Sequence, residues 1–404
     1  MGRPLLLTAR RVPYGWVIVG TLSITETITW GIVYYGFAVF LTPMERDLGF
    51  SRVALTGAFS VGLAVSALVG VSVGKWIDRH GARSLMTVGS IAAVLLMVAW
   101  SRVETLLQLY VVWALMGLAM AATLYEPAFA AIIGWFSKHR DRALLTLTLA
   151  AGLASTIFVP IETWLLARMG WCSALVTLAV FLAVSTIPLH ALLLRPPPAA
   201  PAAGPGAAPE GRSFALHEAL RTVVFWVLTV AFVASNFAVN AVTVHVTPYL
   251  VGHGYPLATA AMTIGWIGAM QLVGRLMFGP IASRFGHRPM TAAVFVVQAV
   301  ALALLASIRH VPTLIPMIVL MGAANGMGTL ARASIVAEIF GRRNYGAISG
   351  AMAFGSNGAR AAGPVGASLL LLALGAYEPL FWLFAAIVLA AGIAVLFARE
   401  PHGE

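Results

Sequence analysis

Hydrophobic positions along this chain are continuous rather than periodic. Apolar stretches fall at about 14–42, 53–74, 85–101, 107–134, 143–165, 172–194, 223–250, 258–282, 289–308, 312–337, 345–373 and 377–398. A helix needs roughly 20 apolar residues to cross the hydrocarbon of a bilayer, and each stretch is near or above that length. Almost every stretch is apolar on all its faces, as helices are when lipid or a bundle core surrounds them. The strands of a membrane barrel would alternate instead. In lipid, a single segment satisfies its own backbone only as a helix. The pattern predicts an all-α membrane protein with twelve transmembrane helices.

The polar residues between the stretches are unevenly placed. Of the 25 Lys and Arg, 17 fall on the side of the N-terminus, five on the opposite side, and three (Arg275, Arg332 and Arg360) inside apolar stretches. Basic residues collect in cytoplasmic loops, so both termini are expected in the cytoplasm. Between the sixth and seventh stretches lies RPPPAAPAAGPGAAPEGRS, residues 195–213. Its Pro, Ala and Gly cannot build a core, and it reads as a linker. The expected organisation is a six-helix bundle at 1–194, a cytoplasmic linker at 195–222 and a second six-helix bundle at 223–404. The first apolar run is too long for the core of a signal peptide and lacks a small-residue cleavage site.

Composition agrees with this layout. The chain has 404 residues, 60% hydrophobic and only 10% charged, whereas about a quarter of a soluble domain is charged. The net charge of +11 and pI of about 10.5 would suggest nucleic acid in a soluble protein. Here the loop bias accounts for it, and no nucleic-acid partner is expected. The single cysteine, Cys172, excludes an intrachain disulfide. Arg dominates, with Lys75 and Lys138 the only lysines, and Ala is abundant. That usage points to a GC-rich bacterial source and hence to a bacterial inner membrane.

The two predicted bundles resemble each other. GKWIDRHGAR at 74–83 follows the second stretch, and GPIASRFGHR at 279–288 follows the eighth, 205 residues later. Trp135-Phe136 and Ile339-Phe340, each before a basic loop, repeat at almost the same offset. Such duplication is a feature of secondary transporters, whose site lies between the repeats near the bilayer midplane. With the motif G-x-x-x-D-R-x-G-x-R at 74–83, the chain resembles the major facilitator superfamily over essentially its whole length. The resemblance implies that Asp78, Arg79 and Arg83 latch the cytoplasmic ends of helices in the outward-facing state. In the second copy Ser283 replaces the Asp, which leaves a matching latch there in question.

Within that superfamily the chain is similar to the monocarboxylate transporter and oxalate–formate antiporter branch. The similarity rests on Tyr-Gly-Trp-Val at 14–17, Leu-Tyr-Glu-Pro-Ala-Phe at 124–129, and Gly274-Arg275 in the eighth stretch. It implies that Arg275 binds a substrate carboxylate. It also implies a second cation in the eleventh stretch, where Arg360 stands instead of a lysine. Glu126 beside Tyr125 departs from the oxalate-carrier pattern.

Charges inside a bilayer are costly and mark substrate paths or proton relays. The candidates are Glu26, Glu126, Arg275, Arg332 and Arg360, three cations against two carboxylates. Such a cavity attracts anions. Arg275 stays charged and can grip a carboxylate with two parallel hydrogen bonds, with Gln271 one turn earlier on the same face. Asn236, Asn240, Thr243 and Thr247 form one stripe of the seventh stretch that is expected to face the cavity. Trp30, Tyr34, Tyr35, Tyr125, Phe129 and Trp266 are candidate walls. Taking a carboxylate out of water favours its neutral form, and a neighbouring arginine favours the charged one. A substrate anion competing for the arginine would thus hand a proton to Glu126 or Glu26. His245 is a further titratable candidate. Glu162 is expected at the membrane interface.

Gly70-x-x-x-Gly74 and Gly322-x-x-x-Gly326 suit close helix packing. No P-loop, His/Cys metal spacing or nucleophile elbow occurs, so no ATP-driven step, cofactor or enzyme activity is expected. The sequence therefore predicts a monomeric, proton-coupled carrier of a small organic anion. Anion exchange and proton-driven efflux of amphipathic compounds stand as alternatives.

Overall fold

The computed structural model describes residues 13–136, 139–197, 213–308 and 313–397. Among the described residues all regular structure is helical. We number the long helices α1 (Tyr14–Leu48), α2 (Arg52–His80), α3 (Ala82–Trp100) and α4 (Leu106–Trp135). The stretch Arg140–Leu193 breaks at Gly170, which has φ 74° and ψ 167°. It supplies α5 (140–169) and α6 (171–193). There follow α7 (Val223–Gly252), α8 (Leu257–Phe285), α9 (His287–Ala306) and α10 (Leu314–Ile339). The chain ends in α11 (Tyr345–Leu374) and α12 (Tyr377–Phe397). This inventory is consistent with twelve crossings. Most of the linker expected at 195–222 lies outside the described residues.

Local chemistry sets the helix starts. Ser51 accepts a hydrogen bond from the Ala54 amide, Thr222 from the Phe225 amide, and Thr105 forms a capping box with Gln108. Glycines set many of the ends. Positive-φ glycines occur at Gly49, Gly81 and Gly170, and again at Gly254, Gly286 and Gly375. Each member of the second set lies 205 residues after its counterpart. No L side chain tolerates this backbone without strain. The internal repeat is therefore written into the turns as well as the motif.

Helices α2 and α8 run longer than their apolar stretches, so Asp78, Arg79 and Ser283 lie on helix ends rather than in loops. The outer faces are apolar and exposed, as at Leu115, Val184, Leu369, Leu372 and Trp382. This is the surface lipid would cover. Helix α2 packs against α11 and α5 against α8, joining the first six helices to the second six.

Candidate substrate site and gate

Two irregular helices meet at the centre of the bundle. Helix α1 widens into a π-helical segment at Trp30–Tyr35. Helix α4 breaks at Leu124, where ψ is −163°, and restarts at Tyr125. Such interruptions are frequent at functional sites. They bring aromatic rings together: Trp30 lies 4.8 Å from Tyr34 and 4.9 Å from Tyr125, and Tyr125 stacks on Phe129 at 5.1 Å. Tyr35 completes the group at 5.2 Å from Tyr34. Five of the six predicted wall aromatics thus form one cluster. Trp266 is outside it, half exposed on α8.

Arginines surround the cluster. Arg275 and Arg360 both lie within electrostatic reach of Tyr35 and Tyr125. Arg275 is 7% exposed. Its Nη1 donates to the Thr148 carbonyl at 2.5 Å, on α5 in the other half of the molecule, and its Nε is buried without a partner. Gly152 lets the guanidinium approach α5, because a Cβ there would collide with it. Among the described residues no carboxylate pairs with Arg275 or with Arg360, which is exposed in the middle of α11. The two guanidiniums therefore share one region and lack a counter-ion there.

Glu26 is fully buried beside this region. Its Oε2 accepts a hydrogen bond from the Trp30 indole at 3.0 Å, while Oε1 has no partner. Glu126 also acts on Glu26 electrostatically but is committed elsewhere. It forms an ion pair with Arg332 and accepts a 2.8 Å bond from Ser349. Both partners belong to the second six helices, so this carboxylate ties the two sets together. Arg332 is the partner of Glu126 across the halves.

Toward the linker face the halves are closed by two polar clasps. Asp78, at the end of α2, accepts 2.8 Å bonds from the amides of Gly346 and Ala347. These are free donors of the first turn of α11, and a carboxylate also complements the positive end of the helix. The close approach depends on Gly74 facing Gly346 and Gly70 facing Gly350, where a Cβ on Gly74 would fall on the opposite carbonyl. Gly346-x-x-x-Gly350 is the partner motif that sequence inspection missed. The expectation for Arg79 and Arg83 needs correction. Both are exposed and make no ion pair among the described residues, so Asp78 forms this clasp through backbone amides.

The second clasp has a different chemistry. Ser283 bonds only to its own helix, at Pro280. In its place Asp141, at the start of α5, meets His287 at 2.8 Å and Ser334 at 2.8 Å. His287 also pairs with Glu338. Here the acid stands at a helix start rather than a helix end, and a histidine supplies the donor. Asp141, set in the basic run around it, was the only sequence signal. By contrast, Arg52–Glu45, Trp171–Asp47 and His253–Glu378, at the opposite ends, each stay within one half.

The remaining predicted residues are placed as follows. Gln271 is half-buried on α8, its carbonyl packed against Gly326 of α10. Asn236 and Asn240 are half-buried on α7, but their amides donate back to Phe232 and Asn236 of the same helix. Asn240 abuts Gly363 of α11, so the stripe faces a neighbouring helix as well as open space. His245 does not join the carboxylates. Its ring meets Tyr377 at 3.4 Å and Ser368 at 3.3 Å, inside the second six helices. Glu162, expected at the interface, is fully buried within the protein.

The comparisons with known proteins agree with this architecture. The family model described as Major Facilitator Superfamily matches residues 23–277 and 267–404. Monocarboxylate transporter 3 of Rattus norvegicus is 26% identical over 94% of this chain and 79% of its own length. The oxalate:formate antiporter of Oxalobacter formigenes is 25% identical over 78% of this chain and 76% of its own. A crystal structure of the transporter FucP in the outward conformation superposes with a TM-score of 0.75 at 14% identity, covering 96% of this chain and 100% of that one.

Proposed function

This chain belongs to the Major Facilitator Superfamily, and we propose that it carries a small monocarboxylate across a bacterial inner membrane together with a proton. The observation that carries the reading is Arg275, a buried guanidinium at the join of the two halves with a free Nε and no acidic partner among the described residues. A cation so placed gains from an anion that arrives with its own bidentate acceptor. The similarity to a monocarboxylate transporter supports the cargo class.

The linker face is assigned to the cytoplasm by the bias of basic residues. The clasped arrangement is then the outward-facing one, with Arg275 reached from outside. The anion displaces the Thr148 carbonyl from Arg275, and Glu26 takes the accompanying proton. With the charges matched, the clasps at Asp78 and Asp141 open and the opposite ends close. Glu126, held by Arg332, acts in this scheme as part of the gate. A second reading, exchange of a dianion, is favoured by Arg360 lying with Arg275 around the same tyrosines.

Purified protein in liposomes tests this. An inward proton gradient is expected to drive uptake of a labelled short-chain monocarboxylate. Arg275→Ala should reduce uptake by two orders of magnitude or more, since removing one partner of a buried ion pair costs about 3–5 kcal/mol. Undiminished uptake in that variant overturns both readings. Strict dependence on an internal anion favours exchange.

A further inference from the structure

A second buried carboxylate is not used by the scheme above. Glu162 has no exposed surface, and both of its oxygens are buried without a hydrogen-bond partner. A carboxylate with neither water nor a partner is among the costliest groups to bury, and the neutral acid is the form such a site accepts.

The site is built rather than accidental. On α5, Phe158 and Glu162 stand four residues apart and face α1. On α1, Gly31 and Gly36 stand five apart and receive them, and a Cβ on Gly36 would lie 2.8 Å from Glu162 Oε1. The spacing of five fits the π-helical segment Trp30–Tyr35, whose wider turn keeps both glycines toward α5. That same segment carries Trp30 and Tyr35 into the substrate region. The widened turn therefore serves the aromatic cluster on one side and the Glu162 niche on the other.

Of the other titratable groups near this end of the packed elements, Arg46 is exposed at the end of α1 and several are engaged elsewhere. Tyr35 lies with Arg275 and Arg360, and Glu26 holds Trp30. Asp47 accepts from the Trp171 indole at 2.8 Å, Glu45 pairs with Arg52, and Arg168 lies over Trp164. Ten residues of α1 separate Gly36 from Glu26, about 15 Å along the axis, with Glu162 nearer the unclasped face. Buried unpartnered oxygens recur along that helix at Glu26 Oε1 and Thr29 Oγ1.

We infer that Glu162 is a proton-carrying site of the transport cycle, loaded from the face opposite the linker and coupled to the substrate region through the π-segment of α1. Its carboxylate takes a proton from water at that face when the segment moves, and gives it up toward the linker face once the clasps have opened. The inference rests on the proton-coupled reading of the function. Substrate binding at Trp30 and Tyr35 alters the niche behind them, which makes the π-segment the link between cargo and proton.

Two measurements on the full-length protein test it. In liposomes, Glu162→Gln keeps a neutral group of the same shape. It should retain exchange of labelled for unlabelled monocarboxylate within about twofold while losing accumulation driven by a proton gradient. Glu162→Asp should restore part of that accumulation, and equal thermal stability of both variants separates the effect from misfolding. Proton-driven accumulation by Glu162→Gln equal to the unsubstituted protein overturns the inference. In infrared difference spectra on adding monocarboxylate, a protonated-carboxyl band absent from Glu162→Gln is expected. Its absence from the unsubstituted protein also overturns the inference. If the unsubstituted protein shows no proton-driven uptake at all, proton coupling fails as a reading, and the infrared band alone decides whether Glu162 carries a proton.

Discussion

Replacing Asp78 by Asn probes the first clasp with the least change of shape. The carboxylate accepts two backbone hydrogen bonds, each 2.8 Å long. An amide oxygen can keep one of them, but its NH2 group then faces the second amide donor. Losing one charge-assisted bond costs about 2 kcal/mol, and losing the charge at the helix start costs about 0.5–1 kcal/mol more. The sum, about 3 kcal/mol, corresponds to a shift of about 100-fold in the ratio of clasped to unclasped molecules. A protein clasped at 99:1 would then be near even. Spin labels at Ser84 and Phe285, exposed ends of α3 and α8 on the two sides of the clasp, report the change by double electron–electron resonance, in a Cys172→Ser background. A long-distance population should emerge in Asp78→Asn. A shift below about threefold would refute the idea that the α11 amides are the clasp's main partner.

Further variants read the same machinery. Gly74→Ala puts a methyl group against the Gly346 carbonyl, so the clasped state should be lost even with Asp78 intact; the same spin-label pair checks this, and an unchanged short distance contradicts it. Glu126→Gln and Arg332→Gln should each lower thermal stability or shift the gate by about 1–3 kcal/mol, because each leaves a half-buried charge unpaired, while the double variant should recover much of that; additive losses would show that the two residues act separately.

The sequence by itself determined the layout. Lipid imposes helices on long apolar runs whatever their neighbours are. The loop charges and the glycines at an offset of 205 act through local backbone and interface chemistry, so they can be read without knowing the packing. The position of Arg275 inside an apolar run can likewise be read from the sequence alone, because a charge there is costly whatever it meets. What the sequence left open is which charges meet. A helix that is apolar on all faces gives no sign of its rotation, and partners across the halves are far apart in the chain. Glu126 and Arg332 are 206 residues apart, Asp141 and His287 146. The tertiary structure therefore decided that Asp78 clasps backbone rather than side chains and that His245 belongs to the second bundle. It also decided that Glu162 is sealed behind α1, because its burial depends on a widened helical turn and a glycine contributed by a different helix.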